Sequence, residues 1–284
     1  MKHSVLKPLA AAGLALFLSV PVYAEPAKSL TAQGVMLANE VSRKSITEQS
    51  SMQMTLTNAN GDARVREVLM LIDDTNSLAR KIYLKFNSPR DVKDVRILTL
   101  EHENANEDDD RWLFLPALKK VRRISASSKG ESFMGTDFSY EDFEVKDGVV
   151  GSKNHTYKFL REETIPDALG VKKLCWVIEA LPSTEQEIRD SENSKRIIWV
   201  EQQHFAAIQE HYFNKSGVLF KVRTSSDVRP YTTDKSKTVW RPMRIEMTTV
   251  ESGHKTTLIM NDFKVDQTLP TKIFTRQYVE TGEL

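Results

Sequence analysis

Met52-Gln53-Met54-Thr55-Leu56, followed by Asn58-Ala59-Asn60-Gly61-Asp62 and then the apolar run 65–72, is the stretch that decides the architecture. Apolar and polar side chains alternate with a period of two, which is the pattern of a strand buried on one face only. The Asn-Gly-Asp cluster is strong turn chemistry, so the run at 65–72 is expected to return antiparallel to the first. The same grammar continues outward. A turn at 73–77 leads to Ile82, Leu84 and Phe86, which alternate with Lys81, Tyr83 and Lys85. Further strands are expected at 95–100, 111–115 and 121–124, and then at 155–161, 173–181, 196–201, 206–214, 218–224, 239–250 and 255–265. Ser216-Gly217 and Ser252-Gly253 mark two tight hairpins between adjacent runs.

Helical signals are few. Between 29 and 44, Leu30, Gly34, Leu37 and Val41 fall at i, i+4, i+7 and i+11, which predicts one helix with that stripe as its apolar face. Thr31 is its expected cap, and Arg43 and Lys44 suit the negative end of the helix dipole. A short helix containing Ile273, Phe274 and Tyr278 is expected after Pro270. The absence of strand–helix alternation argues against a parallel α/β fold. The expected class is mainly β (α+β): a large, curved antiparallel sheet, residues 25–284 forming a single domain.

The chain has 284 residues, with 40 Lys and Arg against 39 Asp and Glu, and a formal net charge of +1. That balance argues against a nucleic-acid binder, which normally carries a basic surplus. Lys2, His3 and Lys7 precede an apolar run at 9–20, and Val22-Tyr23-Ala24 places small residues where a signal peptidase cuts. Residues 1–24 are therefore expected to be a cleaved secretory signal, and the mature protein an exported, periplasmic one. No cysteine follows the cut to accept a lipid, and no later run is long enough to span a bilayer. Cys175 is the only cysteine, so no disulfide forms within the chain.

A sheet of this size curls, and its concave side must be filled or covered. Twelve Phe, seven Tyr, four Trp and nine Met are available to do so. They serve either as ordinary core or as the lining of a cavity, and an eight-strand or larger barrel can enclose a ligand. The most distinctive segment runs from Asp110-Arg111-Trp112-Leu113-Phe114-Leu115-Pro116 through Val121-Arg122-Arg123-Ile124-Ser125. It continues to Ser132-Phe133-Met134-Gly135-Thr136-Asp137-Phe138-Ser139-Tyr140-Glu141-Asp142. Phe133, Met134, Phe138 and Tyr140 follow neither a strand nor a helix period, as in a loop that serves as a lid or docks a partner. Such a loop folded back on the core is the other reading. Lys119, Lys120, Arg122 and Arg123 flank a hairpin turn, either as a solvated face or as a site for anionic headgroups or an acidic partner. Glu107, Asp108, Asp109 and Asp110 lack the glycine and distal glutamate of a calcium loop. Ser132 lies one residue off a nucleophile elbow, without the strand–turn–helix context. The histidines show no metal-ligand spacing, and Cys175 between Leu174 and Trp176 reads as a buried, inert thiol.

The segment 110–143 resembles the signature of the LolA-like family of outer-membrane lipoprotein-sorting proteins, and the similarity extends over nearly the whole mature chain. The resemblance implies a periplasmic protein with an incomplete β-barrel, a helical lid and an apolar cavity for acyl chains. It implies no enzymatic activity and no cofactor or metal. Its expected partners are lipid or lipoprotein acyl chains, an inner-membrane permease of the resistance–nodulation–division (RND) type and an outer-membrane acceptor. On this basis Met52, Met54, Leu56, Trp112, Phe114, Trp176 and Ile178 are candidates to line the cavity. Phe133, Met134, Phe138 and Tyr140 are candidates for its mouth or a partner-facing loop, and Lys119, Lys120, Arg122 and Arg123 for meeting a headgroup or partner. The alternatives are a periplasmic adaptor of an RND-type transporter that carries nothing, and a lipid hydrolase using Ser132.

Overall fold

Alternation carries the chain through two successive meanders. The computed structural model describes residues 30–75, 79–102, 108–143 and 154–283; the leader expected at 1–24 and Glu107 of the acidic run lie outside them. The first meander comprises β1 (Thr47–Thr57), β2 (Ala63–Asp73), β3 (Ala79–Ser88), β4 (Arg96–His102), β5 (Asp110–Leu115) and β6 (Lys120–Ile124). The second comprises β7 (His155–Pro166), β8 (Lys172–Pro182), β9 (Lys195–Glu201), β10 (Ala207–Phe213), β11 (Leu219–Thr232), β12 (Thr238–Thr249) and β13 (Lys255–Val265). The first strand pairs with the last: Met52 lies opposite Met260, and Met54 opposite Leu258. The described residues thus form one 13-stranded antiparallel sheet with β6 and β7 at its two edges, a curved and incomplete barrel.

Register assigns every side chain to a face. Met52 opposes Val68, Val68 opposes Phe86, Leu84 opposes Ile97, and Ile97 opposes Leu113. These residues meet on the concave side in one buried cluster that also takes in Leu56, Ile124, Phe133 and Phe138. The opposite parity, Leu71, Tyr83, Leu98 and Phe114, packs on the convex side against Phe274 and Val279. Those two belong to the C-terminal cover, a 3-10 turn at Thr271–Phe274 and a helix (Arg276–Thr281) capped by Thr275 and closed by Gly282 at φ 73°. The rings of Tyr83 and Tyr278 lie 5.7 Å apart, and the Arg96 guanidinium sits 4.2 Å from the Phe114 ring centroid while donating to the Glu280 carbonyl at 3.1 Å.

The helix expected near the N-terminus spans Ala32–Arg43 (α1), with Thr31 Oγ1 accepting from the Gly34 amide at 3.0 Å. Its orientation differs from the expectation. Leu30, Leu37 and Val41 are 49%, 48% and 47% exposed, whereas Ala32, Val35, Met36, Asn39 and Glu40 face the sheet. The helix carries two apolar stripes, and polar groups decide between them. The Asn39 amide donates to the Phe205 carbonyl, a bond that the Leu30 stripe cannot make.

Two expectations follow. Phe274→Ala should lower unfolding stability by about 3 kcal/mol, because it empties a buried site, while Leu118→Ala at a 62% exposed position should change it by less than about 0.5 kcal/mol; urea denaturation reads both. Burial, with Glu201 and then Glu163 adding to it, pushes the Cys175 thiol up to about 12. It should therefore resist a thiol reagent at pH 8 in the native protein and react readily in urea.

Candidate functional site

The concave face is covered by two elements that come from different parts of the chain. One is α1, which rests on Ile178, Ala180, Ile198 and Val200, with Trp176, Phe205 and Ala207 around them. The other is the segment 125–143, which follows β6 at one edge of the sheet and folds inward over Met52, Met54 and Phe86. Between them lies a cavity of about 160 Å³, below the ~300–1,000 Å³ usual for small-molecule sites.

The distinctive segment is a self-bonded plug. Gly135 at φ 74° and Met134 at φ 52° make its turn. Thr136 Oγ1 donates to the Phe133 carbonyl at 2.7 Å, and Ser132 Oγ donates to the Thr136 carbonyl at 2.7 Å. Phe133 and Phe138, 1% and 3% exposed, insert into the concave core. Phe143 stacks obliquely on Phe133 with ring centroids 4.4 Å apart. Asp137 ties the plug to the hairpin between β12 and β13: its carboxylate accepts from Thr249 Oγ1 at 2.6 Å and Thr256 Oγ1 at 2.7 Å, and it meets His254 Nδ1 at 2.6 Å. At the other end, Lys129 pairs with Glu187 at 2.7 Å, and Glu141 accepts from Asn193 Nδ2 at 3.1 Å.

The candidate residues separate by face. Met52 lines the cavity; Met54 and Leu56 lie beneath the plug; Trp176 and Ile178 lie beneath α1, Trp176 stacking on Phe205 at 5.4 Å. Trp112 and Phe114 are on the convex side instead, under the C-terminal cover, because they have the opposite parity to Arg111 and Leu113. Phe133 and Phe138 point inward rather than towards a mouth, because both rings pack into the apolar cluster with Met52, Met54 and Phe86; Met134 and Tyr140 are half-buried beside them. Lys119, Lys120, Arg122 and Arg123 are exposed, with Arg123 pairing with Asp110 at 2.6 Å. Asp109, in the acidic run, pairs with Arg111 at 3.1 Å. Ser132 has a structural task, closing the turn at Thr136.

The cavity also departs from the apolar lining expected of it. Met36, Met52, Met70 and Met260 supply one part of its wall. Beside them and apolar residues such as Ile72, Phe143 and Leu258 stand Arg43, Arg80, Arg196, Arg223 and Arg241 with Glu48, Glu210 and Asp142. Glu48 accepts from Ser45 Oγ at 2.6 Å, contacts Arg241 and lies 3.9 Å from Arg80. Glu210 contacts Arg223, accepts from Tyr212 Oη at 3.1 Å and lies 3.8 Å from Arg196. Burial and the neighbouring Arg223 lower the pKa of Arg43; burial and then Arg43 lower that of Arg241 to about 9. Burial works against the charge of Arg223 as well, but Glu210 and Tyr212 hold its pKa above the usual value. A sequence signal for these charges exists: Glu48 has the same strand parity as Met52 and Met54, and Arg196 the same parity as Ile198.

A family described only as uncharacterized protein-like matches residues 78–281. No curated protein matches the chain. Among solved structures, the chain is similar to a domain from Vibrio parahaemolyticus provisionally assigned as an outer membrane lipoprotein-sorting protein, at TM-score 0.76 and 24% identity over 88% of this chain and 98% of that one. A DUF1329 family protein from Desulfovibrio piger gives TM-score 0.76 and 23% identity over 87% and 97% of the two chains. A LolA superfamily protein from Nitrosomonas europaea gives TM-score 0.64 and 20% identity over 88% and 100%.

Asp137→Ala leaves three partners of one buried carboxylate unmatched, so it should cost about 2–3 kcal/mol and speed amide exchange within 131–143. Unchanged exchange in that segment would show that its aromatic contacts alone hold it.

Proposed function

Because this chain belongs to that uncharacterized protein-like family and has the LolA-like fold, we propose that it is a periplasmic carrier of acyl chains. It binds lipids or lipoproteins beneath α1 and helps to move them between inner and outer membrane. The observation that carries this reading is the cover itself: one helix lies across a concave face whose side chains beneath it are apolar. Each methylene taken from water gains about 0.8 kcal/mol, so a dozen gain on the order of 10 kcal/mol. Exchange between a bilayer and an apolar pocket is nearly neutral by comparison, so small changes in the cover decide uptake or release.

The cavity of about 160 Å³ is the closed form. Loading requires α1 to lift, uncovering Ile178, Ile198 and Val200 as a continuous floor. Four methionines at the cavity wall suit chains of differing shape, since methionine is unbranched and adaptable. The exposed group Lys119, Lys120 and Arg122 is where the carrier meets an anionic membrane surface or a partner such as an RND-type permease or an outer-membrane acceptor. Binding and release, with no covalent chemistry, are the whole of the proposed activity.

Native mass spectrometry of the protein gently released from the cell envelope should show co-purified lipid or lipopeptide, and the emptied protein should take up a fluorescent fatty acid. Ile198→Trp, which fills the floor, should reduce that uptake at least tenfold. A protein that is uniformly empty and takes up no probe overturns the proposal.

A further inference from the structure

We infer that the cavity holds an oxyanion subsite, so that the preferred cargo is an amphiphile with a phosphate or carboxylate beside its acyl chains; this rests on the carrier reading and narrows it. Five guanidinium groups and three carboxylates line the space, a surplus of two positive charges around a volume of about 160 Å³. Glu101, which opposes Arg80 across β3 and β4, does not line it. Glu40, one turn back from Arg43, is the weakest of the influences resolved on that guanidinium.

The carboxylates present do not satisfy the arginines. The Nε–H groups of Arg43, Arg80 and Arg241 are buried and have no hydrogen-bond partner. Glu48 serves Arg241 and Arg80 at once, and Glu210 serves Arg223, Tyr212 and Arg196. Arg43 enters from the C-terminal turn of α1, and burial and Arg223 already press against its charge. A buried guanidinium N–H without an acceptor is costly, and a planar or tetrahedral oxyanion matches the forked donors of arginine. The apolar methionines beside them give the same space a greasy flank, as a headgroup joined to a chain requires.

The placement also makes the ligand a clasp. Arg43 belongs to the cover, whereas Arg80, Arg196, Arg223 and Arg241 belong to the sheet. An oxyanion between them links lid to floor and replaces mutual repulsion by attraction, so an anionic cargo closes the cover on itself.

Three probes sort the outcomes, each titrated against the emptied full-length mature protein: phosphatidic acid, diacylglycerol with the same chains, and inorganic phosphate. Phosphatidic acid should bind at least tenfold more tightly than diacylglycerol. In Arg43→Met that preference should fall below threefold, while the empty variant is as stable as the parent or more so, because a repelled charge has gone. Arg80→Met provides a second test on the sheet side. Equal binding of both lipids, or a preference unchanged in both variants, overturns the subsite and leaves the carrier standing. Binding of phosphate without either lipid supports the subsite and overturns the carrier. Binding of none overturns both.

Discussion

The pairing of β1 with β13 holds the rest in place. Each meander could form alone from local hairpins, but only the join of Met52 to Met260 and Met54 to Leu258 makes one continuous surface of them. That surface is long enough for strand twist to curl it. The curl then sorts side chains by parity, sending Met52, Val68 and Leu84 inward and Leu71 and Tyr83 outward. The plug follows β6, at one edge of that surface, and so comes from the middle of the chain.

What alternation could say, it said clearly. The strands between Met52 and Phe86 and most of those in the second meander lie close to their expected positions, because period two is a direct consequence of one wet and one dry face; β7 and β11 start where expected but run on to Pro166 and Thr232, well past the expected ends at 161 and 224. Face assignment was harder. Trp112 and Phe114 belong to a sheet segment that is buried on both sides, where apolar character does not distinguish concave from convex. The α1 stripe of Leu30, Leu37 and Val41 is apolar and yet exposed, because a second stripe at helical spacing, Ala32, Val35 and Met36, is buried together with the Asn39 hydrogen bond. The arginines are hidden for the opposite reason: a charged residue at a core parity reads as a surface strand until the fold brings four of them, Arg80, Arg196, Arg223 and Arg241, together with Arg43 of α1.

The plug explains its own unusual composition. A segment with no repeating backbone pattern must satisfy its polar groups one by one, and Ser132, Thr136, Asp137 and Ser139 do this over the described turn. Ser132 and Thr136 reach backbone carbonyls within the turn, Ser139 donates to the Asp142 carboxylate, and Asp137 bonds across to Thr249 and Thr256, while Phe133 and Phe138 enter the core. Sequence and geometry are thus coupled more tightly here than in the strands, where any β-branched or aromatic residue of suitable size would serve.

An unclosed sheet has a hazard that a closed barrel lacks, since each terminal strand offers unused amide and carbonyl groups along one side. Here β6 carries exposed Lys120, Arg122 and Arg123, and β7 carries exposed Lys158, Arg161 and Glu162. Charge in these positions discourages a second molecule from adding its own strand. The basic hairpin therefore has a protective duty that persists whether or not anything docks there: burying its charges against another strand would cost their hydration, which makes the open rim a poor template for added strands.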